Sequence, residues 1–406
     1  MQIYQVGGAV RDELLGLEVK DRDWVVVGAT PEEMAALGYK AVGREFPVFI
    51  HPETGEEYAL ARTERKTGPG YKGFVFNTSD RITLEQDLER RDITINAIAK
   101  DENGNLIDPF NGRKDLEEKI IRHVSDAFVE DPLRVLRVAR FAAQFKFPIA
   151  GETQSLLREI SVTNELQTLT PERVWIETEK ALQTPQPRHY FEALRECNAL
   201  AVLFPEIDRL FGVPQPERYH PEVDSGIHTL MVLEQATKLT TETEVRFAAL
   251  VHDLGKATTP QEIWPSHHGH GERGVELINK LCDRLRIPNR YRELATLVSR
   301  YHLHCHRVEE LSPTVILDKL EGLDAFRRPD RFDQFLLACE ADARGRKGKE
   351  QMDYPQAGLF RNYREACLTV PTKSEDIQNL KGTEIADYIR AQRVEALKGV
   401  KAQEVV

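Results

Sequence analysis

Two aspartates one residue apart, close to the start of the chain, have the types and spacing of a metal site. Asp21 and Asp23 lead into the β-branched run Trp24-Val-Val-Val27, which predicts a buried strand. Since side chains alternate along a strand, both carboxylates are expected on one face. Two carboxylates so placed can hold two Mg²⁺ ions roughly 3.5–4 Å apart and stabilise the attacking and leaving oxygens of a phosphoryl transfer.

A glycine turn upstream of the aspartates would add a phosphate site. Residues 3–6 predict a short strand, Gly7-Gly8 a turn and residues 9–15 a helix, whose first N–H groups are free to bind phosphate. Taken singly, these signals also fit an ordinary turn and a solvated strand entry or capping pair. Their order along the chain favours catalysis of phosphoryl transfer.

An arginine pair follows in Arg90-Arg91-Asp92, just before an apolar segment. The guanidinium groups could bind phosphates bidentately, while Asp92 could cap or orient them. A surface ion-pair patch is the alternative.

A polar stripe marks the predicted helix over 131–145. Four residues recur in it at three-residue intervals, namely Asp131, Arg134, Arg137 and Arg140. A solvated amphipathic helix would give the same pattern. However, Asp131 and Arg134 place an acceptor beside a donor. That order matches the Watson–Crick edges of cytosine and adenine, and it is reversed in guanine and uracil.

Histidines and carboxylates form a further group in the second half of the chain: His228, His252, Asp253 and Asp342. Imidazole and carboxylate ligands from separate helices can converge on one divalent ion and activate a water, although a lone His-Asp pair is usually structural. Six more histidines crowd this region, and we expect exposed loop positions for them, with metal or phosphate contacts as the alternative: His267, His268, His270, His302, His304 and His306.

The elements that must position these groups change character along the chain. Residues 1–110 mix strands and helices, with a basic, mobile loop or a plain hairpin over 62–77. Strand signals nearly vanish from Lys114 onward, and a Pro/Gly cluster over 211–216 predicts a domain boundary. Helices are predicted over 131–145, 152–160, 171–183, 188–197, 227–239, 242–254, 271–285 and 289–300.

Composition limits the class of protein. With 41% hydrophobic and 30% charged residues and no apolar run near the roughly 20 residues of a membrane span, we expect a cytoplasmic protein without a signal peptide. The five scattered cysteines predict neither disulfides nor a zinc finger. Because the net charge is −11, RNA would bind only a local basic surface. The basic loop over 62–72 and the helix from Arg134 to Lys146 are candidates for that surface.

Taken in order, these motifs resemble those of the bacterial class II tRNA nucleotidyltransferases, the CCA-adding enzymes. The match covers roughly the first 180 residues. The matching series is Gly7-Gly8-x-x-Arg11-Asp12, Asp21-x-Asp23, Arg90-Arg91-Asp92-x-Thr94-x-Asn96-Ala97, Glu130-Asp131-x-x-Arg134-x-x-Arg137 and Pro171-Glu-Arg173. The group around His252-Asp253 resembles the HD phosphohydrolase superfamily, and its position after such a head resembles multifunctional CCA-adding enzymes.

The resemblance implies an α+β fold. A small mixed-sheet nucleotidyltransferase head of the polymerase-β type over 1–140 would precede an all-α neck and body over 141–220. An all-α HD domain over 225–345 and a C-terminal helical region over 346–406 would follow.

The resemblance also implies site residues. Asp21 and Asp23 would be catalytic and bind Mg²⁺. Asp131 and Arg134 would select CTP and ATP, and five residues would contact the nucleotide, namely Gly8, Arg11, Arg91, Arg137 and Arg140. Relatives of this polymerase type often carry a third carboxylate on a later strand; Glu57 is a candidate that matches poorly and is not included.

In the HD domain, His252 and Asp253 would be catalytic and would bind a divalent metal, Ni²⁺ being one candidate, together with His228 and Asp342. The implied partners are the tRNA 3′ end, CTP and ATP, with no membrane, and the oligomeric state is open between monomer and homodimer. The implied activities are CCA addition to tRNA and hydrolysis of 2′,3′-cyclic phosphates, 2′-nucleotides and other phosphate esters. The alternatives are a bacterial poly(A) polymerase and a catalytically silent nucleotide- or RNA-binding module.

Overall fold

A computed structural model describes residues 1–42, 48–66, 68, 74–372 and 380–404 of the chain. The chain divides into two compact units, Met1–Leu203 and Phe204–Val406. In the described ranges, no helix combines the length and the apolar character that crossing a bilayer requires.

A seven-stranded mixed sheet begins the first unit, with strand order β3-β4-β5-β2-β1-β8-β9. Its strands are β1 (Gln2–Val6), β2 (Asp23–Val27), β3 (Lys40–Val42), β4 (Val48–Ile50), β5 (Glu57–Leu60), β8 (Ala99–Lys100) and β9 (Leu106–Ile107). Strand β2 pairs antiparallel with β1 and parallel with β5. After Asp23 it is apolar, because both of its faces are covered: Val25 and Val26 belong to separate core clusters.

The segment over 62–77 forms a second, two-stranded sheet of β6 (Arg62–Lys66) and β7 (Phe74–Thr78). These strands pair antiparallel, so the predicted loop is wrong for its two arms and the hairpin alternative holds there. Residues 67 and 69–73 lie outside the described residues.

Helices of the first unit cover the sheet and then form an all-helical region from Leu133 onward. They are α1 (Gly8–Leu14), α2 (Pro31–Ala36), α3 (Leu84–Glu89), α4 (Gly112–Glu118), α5 (Leu133–Phe145), α6 (Gly151–Val162), α7 (Pro171–Gln183), α8 (Pro187–Glu196) and α9 (Ala199–Leu203). Helix α5 packs against α7 and α8, and its apolar side chains, such as Val135, Leu136 and Val138, are buried.

The second unit is helical throughout its described residues. It consists of α10 (Pro205–Asp208), α11 (Ser225–Leu239), α12 (Thr243–Val251), α13 (His270–Leu285), α14 (Asn289–His306), α15 (Pro313–Gly322), α16 (Pro329–Arg344), α17 (Pro355–Leu368) and α18 (Thr383–Glu404). Helices α11, α12, α14 and α16 pack on one another, and α13 packs on α14. The predicted α+β class, a mixed sheet followed by helices, is confirmed.

Candidate functional sites

Three acidic residues lie at the starts of the neighbouring strands β2 and β5 in the first unit. Asp23 is the first residue of this strand, and Asp21 lies just before it; both are exposed. Desolvation raises the pKa of Asp23, Arg91 opposes that shift, and the charge of Asp21 adds to it. Glu57, the first residue of β5, pairs in register with Asp23. Paired residues on neighbouring strands project from the same face, so Glu57 belongs beside the aspartates.

This carboxylate set fits Mg²⁺, which prefers oxygen ligands and is commonly held through a few carboxylates. The charges of Asp21 and Asp23 repel each other, and a divalent cation between them would relieve that repulsion.

The glycine turn leaves room for an arginine beside Asp23. Gly7 has a φ of +70°, and a Cβ there would lie 3.0 Å from Arg91 Nη1 and 4.0 Å from Asp23 Oδ2. A side chain at this position would therefore be strained and would displace the guanidinium. At Gly8, a Cβ would lie 3.4 Å from Arg11 Nη2. Both arginines thus lie against the turn at which a nucleotide phosphate is expected.

A buried hydrogen-bond chain links Arg11 on α1 to Arg137 on α5. Arg11 Nη1 donates to Asn96 Oδ1 (2.6 Å), and Asn96 Nδ2 donates to Asp92 Oδ1 (3.1 Å). Arg137 Nε donates to Asp92 Oδ2 (2.7 Å). Burial alone would raise the pKa of Asp92, but Arg137 and Asn96 outweigh it and lower the pKa to about 2. Asp92 therefore remains ionised and fixes both arginines.

The arginine pair has a different orienting residue from the one that the sequence suggested. Asp87, which is fully buried, accepts from Arg90 Nη2 (2.7 Å) and from Arg91 Nη2 (3.2 Å). The expectation that Asp92 orients Arg90 and Arg91 is therefore wrong, because Asp92 turns toward Asn96 and Arg137.

Asp131 and Arg134, the pair that the resemblance implies selects the base, lie at the start of α5. Arg134 is buried and donates to the carbonyls of Ala127 and Arg90, so the backbone fixes its guanidinium. Asp131 Oδ1 accepts from the Leu133 N–H (3.0 Å) at the beginning of the helix.

Two residues of α7 contact this region. Asp131 Oδ2 lies 3.9 Å from Arg173 Nη2, and Arg140 Nε donates to Glu177 Oε2 (2.6 Å). Helix α7 therefore supports the polar stripe, and Arg173 belongs to the matched Pro171-Glu-Arg173 motif.

In the second unit, four predicted metal ligands converge and are buried. His228 lies on α11, His252-Asp253 follows α12, and Asp342 is near the end of α16. His228 Nε2 lies 3.1 Å and His252 Nε2 3.6 Å from Asp342 Oδ1. His252 Nε2 lies 3.1 Å from Asp253 Oδ2. Burial would lower the pKa of His252, but Asp253 and Asp342 raise it to about 9, so these carboxylates stabilise a cation here.

His270 and His302 belong to the same cluster, so the expectation of exposed loop positions is wrong for them. Both are buried, at the start of α13 and within α14. Asp253 Oδ1 lies 3.2 Å from His270 Nε2 and 3.7 Å from His302 Nε2. The two Nε2 atoms are 3.2 Å apart. Asp253 thus faces His252 with one oxygen and this second pair with the other.

The expectation of exposed loop positions is also wrong for His267, His304 and His306, and it holds only for His268. His267 is also buried and is held by Thr259 Oγ1 and Pro214 O. His268 is exposed, and His304 is half-buried. His306 is half-buried as well, and its Nε2 lies 2.7 Å from Asp342 Oδ2.

The orientation of the three rings around Asp253 favours a metal. Nδ1 of His252, His270 and His302 lies 2.8, 2.8 and 3.0 Å from the backbone oxygens of Ala249, His267 and Val298, respectively. Each Nδ1 therefore carries the proton, and each Nε2 points into the cluster.

Two atoms at the centre of the cluster have no hydrogen-bond partner. Among the described residues, His252 Nε2 and Asp253 Oδ1 are buried without a hydrogen-bond partner, although other polar atoms lie close to them. Buried polar atoms are costly to leave unpaired. This nitrogen and oxygen donor set fits one divalent ion at His228, His252, Asp253 and Asp342, and a second at Asp253, His270 and His302.

A carboxylate-bearing strand pair beside an arginine-lined glycine turn is followed by a helical unit with a buried His/Asp cluster. This arrangement defines a nucleotidyltransferase head followed by an HD-type unit. Known families match in the same order. The matches are the Poly A polymerase head domain (residues 3–122), the probable RNA and SrmB-binding site of polymerase A (146–211) and the HD domain (226–325).

Whole-chain similarity gives the family. The chain is 60% identical over 406 residues to the Multifunctional CCA protein of Thioalkalivibrio sulfidiphilus (strain HL-EbGR7), covering 99% of each chain. The protein belongs to the multifunctional CCA protein family.

Two solved structures have the same fold. A CCA-adding enzyme in complex with ATP has a TM-score of 0.66 at 20% identity, with 100% of this chain and 89% of that chain covered. The Thermotoga maritima CCA-adding enzyme complexed with tRNA has a TM-score of 0.63 at 20% identity, with 99% and 91% covered.

Proposed function

We propose that the protein adds and repairs the 3′-terminal CCA of tRNA, using CTP and ATP without a nucleic-acid template. The observation that carries this proposal is the carboxylate group at the start of β2 beside the Gly7-Gly8 turn, in a chain that matches its family over its whole length. The tRNA 3′-hydroxyl attacks the α-phosphorus, a new P–O bond forms, and the bond to the pyrophosphate leaving group breaks. Mg²⁺ held by Asp21 and Asp23, with Glu57 beside them, would stabilise the charge on the reacting oxygens.

The protein groups bind and orient the nucleotide. Arg11 and Arg91, which lie against the glycine turn, contact the triphosphate with the backbone of Gly8. Asp131 and Arg134 pair with the base, while Arg137 and Arg140 complete the nucleotide site. Because Asp92 and Asn96 connect Arg11 with Arg137, the phosphate and base ends of the site share one rigid network.

The HD unit hydrolyses phosphate esters, including 2′,3′-cyclic phosphates and 2′-nucleotides. His228, His252, Asp253 and Asp342 would hold a divalent ion, and Ni²⁺ is suitable because imidazole nitrogen is one of its preferred ligands; His270 and His302 would offer a second position. The ion would supply an activated water. Lys256 Nζ lies 2.5 Å from Asp253 Oδ2 and donates to Gln215 Oε1 (2.6 Å), so a buried cation is available to the substrate phosphate.

We assign nucleotide addition to the head and hydrolysis to the HD domain of the division proposed from the sequence. Its parts are the head 1–140, the neck and body 141–220, the HD domain 225–345 and the C-terminal region 346–406. With tRNA as substrate, we place the enzyme in the cytoplasm, as a monomer or homodimer.

Incubation with tRNA lacking CCA and with each labelled nucleotide, separately and together, tests the head. Ordered addition of two C and one A is the expected result. A long A tail would assign a poly(A) polymerase instead, the activity for which the matched head family is described. No incorporation would leave a catalytically silent binding module.

A further inference from the structure

Glu222 lies in the segment before α11 and contacts His228, on the side of the ring that faces away from the His/Asp cluster. Its side chain is only 2% exposed, and its Oε1 lies 2.9 Å from His228 Nδ1. On the other side of the same ring, His228 Nε2 faces Asp342 Oδ1 at 3.1 Å. The imidazole of His228 thus stands between a carboxylate outside the cluster and a carboxylate within it.

A second histidine shares this carboxylate. His220 Nδ1 lies 3.1 Å from Glu222 Oε1, and the His220 and His228 rings are in edge contact with centroids 4.7 Å apart. A metal ion could therefore also bind to this set of two histidines and one glutamate.

The neighbours of His228 Nδ1 show whether this nitrogen carries a proton or binds a metal ion. Besides Glu222 Oε1, this nitrogen faces the carbonyl oxygen of Gly345 at 3.2 Å. Two acceptors converge on Nδ1, which is the arrangement of an N–H donor. With the proton on Nδ1, Nε2 is the ligand atom, and it is the nitrogen that points toward Asp253 and Asp342.

We propose that Glu222 is a positioning residue of the HD site, which holds His228 in the tautomer and orientation that binds the metal through Nε2. A carboxylate acceptor on the far nitrogen fixes the ring and makes the near nitrogen a stronger ligand. Glu222 also accepts from the Lys347 N–H through Oε2 (3.2 Å), which ties it to the segment that follows Asp342. One side chain thus restrains the neighbourhoods of two ligands on different helices.

This inference rests on the metal site of the proposed function, and metal binding by the full-length protein tests it apart from hydrolysis. Metal-free protein is titrated with Co²⁺, with excess Mg²⁺ present to occupy the oxygen ligands of the head. Calorimetry gives the affinity, and visible absorption gives the ligand field of the bound ion. The variants are Glu222→Ala, Glu222→Gln and, as matched control, Glu217→Ala, an exposed glutamate of the same segment.

Glu222→Ala is expected to weaken Co²⁺ binding about 10–100-fold and to change the absorption spectrum, because His228 loses its orienting partner. Glu222→Gln keeps an oxygen acceptor without the charge and should recover part of the loss. Glu217→Ala should bind as the parent does, and all three should retain nucleotide addition, which reports a folded head.

Parental affinity and spectrum in Glu222→Ala would overturn the proposal. If that variant fails to fold, Glu222→Gln decides: several-fold weaker binding supports the role of the charge, and parental binding refutes it. A parent protein that hydrolyses no phosphate ester, yet binds Co²⁺ more tightly than Glu222→Ala, would remove the proposed hydrolase while the role of Glu222 stands.

Discussion

Asp23 and Glu57 occupy paired positions on two parallel strands, β2 and β5. Glu57 should therefore support the metal that Asp23 holds, and Glu57→Gln should lower the kcat of nucleotide addition at least about tenfold. Single-turnover addition of CTP to tRNA lacking CCA, over a Mg²⁺ series, measures the effect. Glu53→Gln, an exposed turn position, is the control. Equal rates in parent and Glu57→Gln would exclude this third carboxylate.

Asp21→Ala should lower nucleotide addition by at least about 10³-fold, because Asp21 is one of the two aspartates proposed to hold both metal ions, and Asp23 with Glu57 would not replace it. Hydrolysis of 2′,3′-cyclic AMP should continue at the parental rate, since its proposed residues belong to a different unit. Both activities are assayed on one preparation. Joint loss in a folded variant would contradict separate sites.

His252→Ala should have the converse effect. The variant removes a buried side chain, proposed as a metal ligand, whose Nε2 faces both Asp253 and Asp342. Phosphohydrolase activity should therefore fall to background while addition of CCA persists. Metal content measured after dialysis against Ni²⁺ reports the loss of the site directly. Persistent cyclic phosphodiesterase activity would remove His252 from the assignment.

Asp131→Ala should relax the choice of nucleotide more than it lowers the rate with CTP. The carboxylate is proposed to accept the exocyclic amino group that cytosine and adenine share, and a site that loses this acceptor discriminates less against uracil. Misincorporation of UMP relative to CMP, compared as kcat/KM, is the measurement. Unchanged discrimination would assign base selection to other residues.

Asp92→Asn should reduce the stability of the first unit in a pH-dependent manner. The carboxyl has a pKa of about 2 in the folded protein, below the ordinary value of 3.8. Its ionised form therefore stabilises the fold above about pH 4, by roughly 2 kcal/mol, and this contribution disappears as the pH falls toward 2. Hydrogen exchange of the α5 amides should show parent and variant converging over that range. A constant difference would contradict this linkage.

Local patterns predicted most of the helices well. Helix α5 was predicted over 131–145 and spans Leu133–Phe145, since its apolar period and Pro132 are both local signals. The pairing of Glu57 with Asp23 could not be predicted in this way. It depends on a parallel contact between strands distant in sequence, and no periodicity specifies which strands become neighbours.

The sequence could have indicated the buried position of His302 more readily than that of His270. His302 follows Leu294 and Val298 at four-residue intervals, so its place on the buried face of α14 was readable. The burial of His270 depends on a close approach: a Cβ at Gly255 would lie only 1.9 Å from His270 O. That glycine follows the His-Asp pair, but its role becomes apparent only when α13 packs against it.

Asp253 belongs to both halves of the HD cluster, with Oδ2 toward His252 and Oδ1 toward His270 and His302. A change at His228 or at His270 would remove a proposed ligand from one half alone. A change at Asp253 removes one from both. A lineage could therefore change the proposed metal site gradually through His228 or His270, whereas replacement of Asp253 would alter both halves in a single step.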